Sequence, residues 1–338
     1  MNYTYPINHR LLNVIMLSFW RRFLLNSYSK RSSKSIPRWI LSFAICVAFC
    51  SNDSFSQEVE SYPQPVSEYV EKTGPGTMVF LSYPKYYRDG SGGLQLTDTT
   101  LRPSEEPGWD YEVTTGVWQL FVSGDGHFQA RHKGDVFSYR FASLGYGRGS
   151  QFRSVDLGAP DFSRFEVSGD RIRWRNVFTD VDLEVRYIHD ILKVDVILRE
   201  PFLQDLKNVL QRGELNPDDY LTARFDIDAV MLTSEVKRNG EAVNPYAESL
   251  DIDRPLVFEK DGETVHRLRP VETYMLNTDG ERIEDEAIRF RTANTWQLRQ
   301  DGPGVAELSV YLADVADAPE GDLVMDPSMT WSTTPNRD

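Results

Sequence analysis

The chain has 338 residues, with 37 Lys and Arg against 51 Asp and Glu, a formal net charge of −14 at pH 7. Such a surface repels phosphate backbones and anionic lipid, which argues against nucleic acid as a partner and against a peripheral membrane role. Both cysteines, Cys46 and Cys50, lie in one apolar run near the amino terminus, so the chain beyond them must hold together by burying a core rather than by disulfides.

That apolar run reads as an export signal. Lys30, Arg31, Lys34 and Arg38 precede a hydrophobic stretch over 39–50, too short for a membrane span, and Ser54-Phe55-Ser56 then offers small residues at the positions a signal peptidase reads. Cleavage is expected between Ser56 and Gln57, which removes seven basic residues and one acidic one and sends a more acidic chain to the periplasm, cell surface or exterior. Phe49 stands where a lipoprotein signal has a small residue, which counts against a lipid anchor on Cys50. Residues 1–29 read either as a long leader or as the product of a start placed upstream of Met16. Residues 1–56 are therefore left out of the fold.

Residues 57–76, with Pro63, Pro65 and Pro75, suit an extended lead-in. The domain proper is expected over 77–333 with a tail at 334–338, and a break near 147–160 would make it two packed sub-sandwiches. Its first part reads as a short strand at 79–83, a loop at 86–93, a weak strand at 94–100 and a loop at 102–108. After Trp109, apolar and polar residues alternate between turn dipeptides, the pattern of antiparallel sheet. Strands are expected at 111–113, 117–122, 127–131 and 136–146, turning at Gly124-Asp125-Gly126 and Lys133-Gly134-Asp135. Turns recur at Ser168-Gly169-Asp170, Arg238-Asn239-Gly240, Lys260-Asp261-Gly262 and Thr278-Asp279-Gly280, because Gly and Asn tolerate the positive φ of tight hairpins. The fold class is therefore all-β, an antiparallel β-sandwich built of hairpins. One segment differs: Phe202, Leu203, Leu206, Val209 and Leu210 recur at helical spacing between Pro201 and Gly213, which predicts a short amphipathic helix over 201–212.

The centre of the chain carries the clearest pattern. In 171–175 and 181–187 every second residue is apolar, so each strand should have one buried and one wet face. A turn at 176–179 would set Arg175 opposite Asp180, Arg173 opposite Asp182 and Arg171 opposite Glu184, as a solvated ladder. The same register puts Ile172 beside Leu183 and Trp174 beside Val181 on an inner face shared with Val185, Val194 and Val196.

Val181-Asp182-Leu183 and Leu192-Lys193-Val194-Asp195-Val196 resemble the I-D-L … L-E-Y-D-F segment of a β-rich module found near the amino terminus of bacterial cell-surface proteins, where it precedes SBBP-type β-propeller repeats. Arg269-Pro270-Val271-Glu272-Thr273-Tyr274 is similar to the family's R-P-x-x-Y strand entry, and 321–333 to its P-L-V-I-D-P … Y-S-T exit. The likeness covers roughly residues 160 to 333. Thr179-Asp180 departs from the usual Pro-Gly, 201–219 is a long insertion and 77–150 match poorly. With five residues after Thr333, the sequence reads as a stand-alone or truncated module. The resemblance implies a surface role and supplies no catalytic residues.

No catalytic, cofactor-binding or metal-binding residue is assigned from the sequence. His127 and His132, five apart on a strand, point to opposite faces, and His189 and His266 stand alone, so a zinc site is not expected. Asn277-Thr278-Asp279-Gly280 with Glu286 has part of a calcium-loop spacing, but Met275 occupies the first ligand position and the flanks read as strands. A hairpin turn is the expectation there. Gly145-Tyr146-Gly147-Arg148-Gly149 lacks the spacing and the helix of a dinucleotide loop. The leading reading is an exported, non-enzymatic β-sandwich module that scaffolds or adheres, with a surface glycan or protein as partner and no membrane span after signal removal. Its alternative is carbohydrate binding or processing, which would need several of Tyr86, Tyr87, Trp109, Trp118 and Tyr146 to line one exposed groove.

Overall fold

The computed structural model describes residues 93–330 apart from 117, 155–158, 189–190, 253, 286 and 328, together with Ser91 and four short stretches of backbone at Gln64–Pro65, Val70–Gly74, Thr77–Phe80 and Tyr86–Arg88. The cleavage pair Ser56 and Gln57 lies outside the described residues. Tyr86–Arg88, read from sequence as loop, is a strand pairing with Leu94–Leu96, and Arg102–Pro103 is a two-residue strand where a loop was expected. In both places the pairing partner lies beyond the local pattern that marks a turn. Gln64–Pro65 and Val70–Gly74 add short strands within the proposed lead-in.

Two antiparallel sheets dominate the described residues, ten-stranded and eleven-stranded. The first is built around Asp135–Tyr146, which pairs with His127–His132 on one side and Tyr220–Met231 on the other; Gly304–Tyr311 follows next. The second is built around Val181–Ile188 and Ile191–Leu198, flanked by Arg171–Phe178 and by Asp322–Asp326. The eleven-stranded sheet takes all its strands from Phe165 onward, whereas the ten-stranded sheet draws strands from before and after that point, Arg153–Ser154 among the earlier ones.

The inner faces meet through aromatic rings. Phe137 and Phe141 of the first sheet pack edge-on against Phe258 and Phe178 of the second, each pair 5.6 Å between centroids. Two hydrogen bonds tie the layers together where the aromatics leave polar atoms inside: Trp174 Nε1 donates to the Gly124 carbonyl at 2.8 Å, and the Trp118 backbone N–H donates to the Tyr187 hydroxyl at 3.1 Å. Ile172, Trp174, Val181, Leu183, Val185, Val194 and Val196 are all buried, as the alternation requires.

The central hairpin corrects the expected register. Arg173 pairs with Glu184, Trp174 with Leu183 and Phe178 with Val181, so the turn is Thr179-Asp180 and the strand runs three residues further than its apolar alternation shows. A bulge between Trp174 and Phe178 takes up the extra residues, with Asn176 at φ 53° and Asp180 at φ 55°. The shift at Trp174 is two residues, an even number, so every side chain keeps its face.

The ladder is not solvated. Asp182 is wholly buried and Glu184 4 % exposed, because the arginine stems lie over them. Asp182 accepts the backbone N–H of Asn176 at 2.7 Å and bonds from Arg173 Nε and Nη2 at 3.1 and 2.7 Å, so it caps the bulge as well as pairing a charge.

The expected helix is Glu200–Gln211, with Leu203 and Leu206 buried. Asp322 Oδ1 accepts the Glu200 N–H at 2.9 Å, and Gly213, at φ 70°, closes the end with a bond to the Leu210 carbonyl. A second helix, Leu312–Ala316, follows directly from its strand and packs against the first. Neither is long and apolar enough to cross a membrane, and the same holds for every helix among the described residues.

Trp174→Ala is expected to cost about 3–5 kcal/mol through the lost ring and the orphaned Gly124 carbonyl. Asp182→Ala, against the small effect a solvated ladder implies, should cost a comparable ~3–5 kcal/mol by leaving the bulge uncapped and the part-exposed Arg173 guanidinium without its nearest acid. Urea unfolding midpoints of the two variants check this; an Asp182→Ala midpoint equal to the parent's would refute the capping role.

Candidate functional site

Strand alternation gives the first sheet an outer face whose two ends differ. At one end Arg224 is fully used: its Nε donates to Glu307 Oε1 at 2.8 Å and its Nη2 to the Gly149 carbonyl at 2.7 Å, while its guanidinium covers the Phe152 ring. Two and four residues further along the same strand and face stand Asp226 and Asp228, both exposed. Asp226 lies opposite Arg140, which itself lies opposite His127; Asp228 lies opposite Ser138. Among the described residues, no group hydrogen-bonds or ion-pairs with the side chains of Asp226, Asp228, Arg140 or Arg299.

These residues line a groove made of two adjacent open pockets. One, of about 240 Å³, is bounded by Asp125, His127, Ser138, Arg140 and Asp226; the other, of about 530 Å³, by Tyr246, Arg299 and Gly302, with Asp228 and Pro303 common to both. The wall beside His127 is the 104–110 loop. Glu106 takes both terminal nitrogens of Arg131 at 2.8 and 2.6 Å, Arg131 sits 4.1 Å over the Phe121 ring, and Trp109 packs on Phe121 and on His127 at 6.0 and 5.1 Å.

His127 Nε2 and Ser138 Oγ are 2.5 Å apart, the reach of a base and its nucleophile. Asp125 does not complete a triad with them: its Oδ1 accepts the Ser123 hydroxyl and the His127 backbone N–H rather than the imidazole. Burial lowers the affinity of His127 for a proton, so at neutral pH the ring is an uncharged hydrogen-bonding surface.

Inside the sandwich, His266 is not isolated as its sequence position implies. Its ring lies 4.0 Å from Phe258, its Nε2 is 3.7 Å from Asp135 Oδ2, and Trp118 meets it edge-on while lying tilted against His132. Asp135 Oδ1 accepts the backbone N–H groups of Thr233 and Ser234 at 2.6 and 3.1 Å. Burial, followed by His132 and Lys133, holds His266 well below its ordinary value.

On the outer face of the second sheet the ion pairs form one chain across strands. Arg173 reaches Asp182 at 2.7 Å, Arg186 reaches Glu184 at 2.9 Å and Asp195 at 3.5 Å, and Lys193 joins Asp195 and Asp326 at 3.3 and 3.0 Å and donates to the Tyr274 hydroxyl. Burial and then the neighbouring Asp326 push Asp195 up to about 7. Asp182, Asp195 and Asp326 are thus all buried members of this array.

Of the aromatics singled out from sequence, Trp109, Trp118 and Tyr146 have described side chains, and these three stand at different places in the fold. Trp118, at the bend just before the Gln119–Val122 strand, is 2 % exposed in the core. Tyr146 packs against the core at the far end of the Asp135–Tyr146 strand, some 20 Å from Arg140 at strand rise. Trp109 alone flanks the groove, and the side chains of Tyr86 and Tyr87 lie outside the described residues. Sequence reasoning passed over Tyr246, which follows Asn244-Pro245 in a turn with no periodicity to mark it, and over Asp226 and Asp228, whose exposed alternation looks like any sheet surface. Asn277 accepts the N–H groups of Asp279 and Glu281, so 277–281 is the expected hairpin turn. Fold and site together define an antiparallel β-sandwich with one ion-paired outer face and one open polar groove. Comparison with family models, curated proteins and solved structures finds no match to the chain.

The two buried titrations act in opposite directions. Neutral His266 leaves the unfolded chain binding more protons below about pH 6.5, so its contribution falls as pH drops. Raised Asp195 keeps a proton that the unfolded chain releases above 3.8, so its contribution falls as pH rises toward 7. His266→Gln should therefore flatten the loss of stability on the acid side of 6.5, and Asp195→Asn the loss between pH 4 and 7, by slopes of up to about 1.4 kcal/mol per pH unit. Chemical unfolding from pH 4.5 to 8 reads both; variants that merely shift the parent curve vertically would exclude these groups as its source.

Proposed function

We propose that the protein is exported and acts outside the cytoplasm as a non-enzymatic β-sandwich module, scaffolding or adhering through the outer face of its first sheet. The contrast between the two outer faces carries this reading. On the second sheet each buried acid is ion-paired with a cation of the same face, which serves shape. On the first, Asp226, Asp228, Arg140 and Arg299 keep their hydrogen-bonding capacity and surround a groove.

Two further observations support it. The amino-terminal sequence has the charge and hydrophobic pattern of an export signal. The segments resembling the surface-protein module, at 181–183, 192–196, 269–274 and 321–326, lie on strands that are neighbours in the second sheet.

Fractionation of the producing cells should recover the protein outside the cytoplasm with Gln57 as its first residue by mass spectrometry. The exported protein should also sediment with isolated cell envelopes, and the double variant Asp226→Ala, Asp228→Ala should release it. A cytoplasmic protein retaining its leader would refute the export reading; envelope binding indifferent to the double variant would refute the assigned face.

A further inference from the structure

Resting on that binding role, we propose that the groove takes a neutral oligosaccharide. The first argument is hydrogen-bond complementarity. Carboxylates accept only and guanidinium groups donate only, whereas a sugar hydroxyl does both. Asp226 and Asp228 present acceptors beside the donors of Arg140 and Arg299, and no described group satisfies any of them. A pair of adjacent hydroxyls can donate to a carboxylate and accept from a guanidinium at once, which is how such a mixed site is saturated by one uncharged ligand.

Charge selects in the same direction. Three carboxylates, of Asp125, Asp226 and Asp228, face two guanidinium groups, and His127 is neutral, so the groove is slightly negative within a chain of net charge −14. A uronate or sulfated glycan would meet repulsion there, while a neutral one would not.

Shape adds the third argument. The pockets of about 240 and 530 Å³ meet at Asp228 and Pro303, giving an elongated site in the size range of small-ligand clefts rather than a single round pocket. Half-buried Tyr246 packs against the core on one side and lines the larger pocket on the other, where a phenol ring offers an apolar surface for the C–H face of a pyranose with a polar tip for its rim. At the other end the Ser138 hydroxyl and His127 ring give a neutral polar floor.

The test is a glycan array carrying neutral, uronate and sulfated oligosaccharides, probed with the exported protein, followed by calorimetry on the best neutral ligand. Neutral glycans should bind, with an affinity that hardly changes when salt is raised tenfold. Asp228→Ala and Tyr246→Ala should each weaken binding by roughly tenfold or more, the loss of one charged hydrogen bond or one aromatic platform. Both side chains reach solvent, so thermal unfolding should show the variants folded. Arrays bound only by charged glycans, or by none, would overturn the proposal, as would neutral binding unaffected by both substitutions. A blank array with envelope sedimentation still lost in the Asp226→Ala, Asp228→Ala variant would remove the saccharide and keep the binding face; sedimentation unaffected by that variant would remove the face itself.

Discussion

The bond from Trp174 Nε1 to the Gly124 carbonyl joins the second strand from one edge of the second sheet to a turn of the first, and the layout outside the core follows from it. With Trp174 facing inward, strand parity turns Arg173 and Asp182 outward on the second sheet. Gly124 opens the turn that carries Asp125 and His127 to the rim of the groove, and a Cβ there would meet the Phe165 ring at 2.8 Å. A displaced core would move both outer faces together, because each sheet is a pleated surface with alternate residues committed to opposite sides.

Those outer faces solve the same electrostatic problem differently. The second sheet buries Asp182, Glu184, Asp195 and Asp326 beneath long cationic side chains that are themselves part-exposed. Removing carboxylates from water is costly, and their pairing about offsets the cost, so the array contributes less to net stability than to fixing which strands lie side by side. Asp182 shows this most directly, since its carboxylate holds the bulge that sets the hairpin register. The first sheet does the same at its Arg224–Glu307 end but leaves Asp226 and Asp228 in water. Exposed carboxylates cost little to keep solvated, which is the condition for later exchange of water for a ligand.

Sequence by itself determined the fold class and the parity of the strands. Period-two alternation reports burial directly, and Asn-Gly and Asp-Gly pairs report turns: Asn239 and Gly240, and Asp261 and Gly262, sit at the positive φ values such turns need. The Glu200–Gln211 helix was legible because Pro201 and Gly213 bracket a 3.6-residue apolar period. Tertiary structure decided the rest. The central register hinged on a bulge stabilised by Asp182 from the opposite strand, a contact that local pattern does not contain. Alternating charge at 182 and 184 reads as wet surface until neighbouring strands bring Arg173, Arg186 and Lys193 over it. The candidate site was the least legible part, since Asp125, Arg140, Asp228, Tyr246 and Arg299 meet only when strands distant in the chain become neighbours in one sheet. Hydrophobic patterning specifies which face is buried; it carries no information about which polar groups on the other face are left without partners, because that depends on pairings made across the whole sheet.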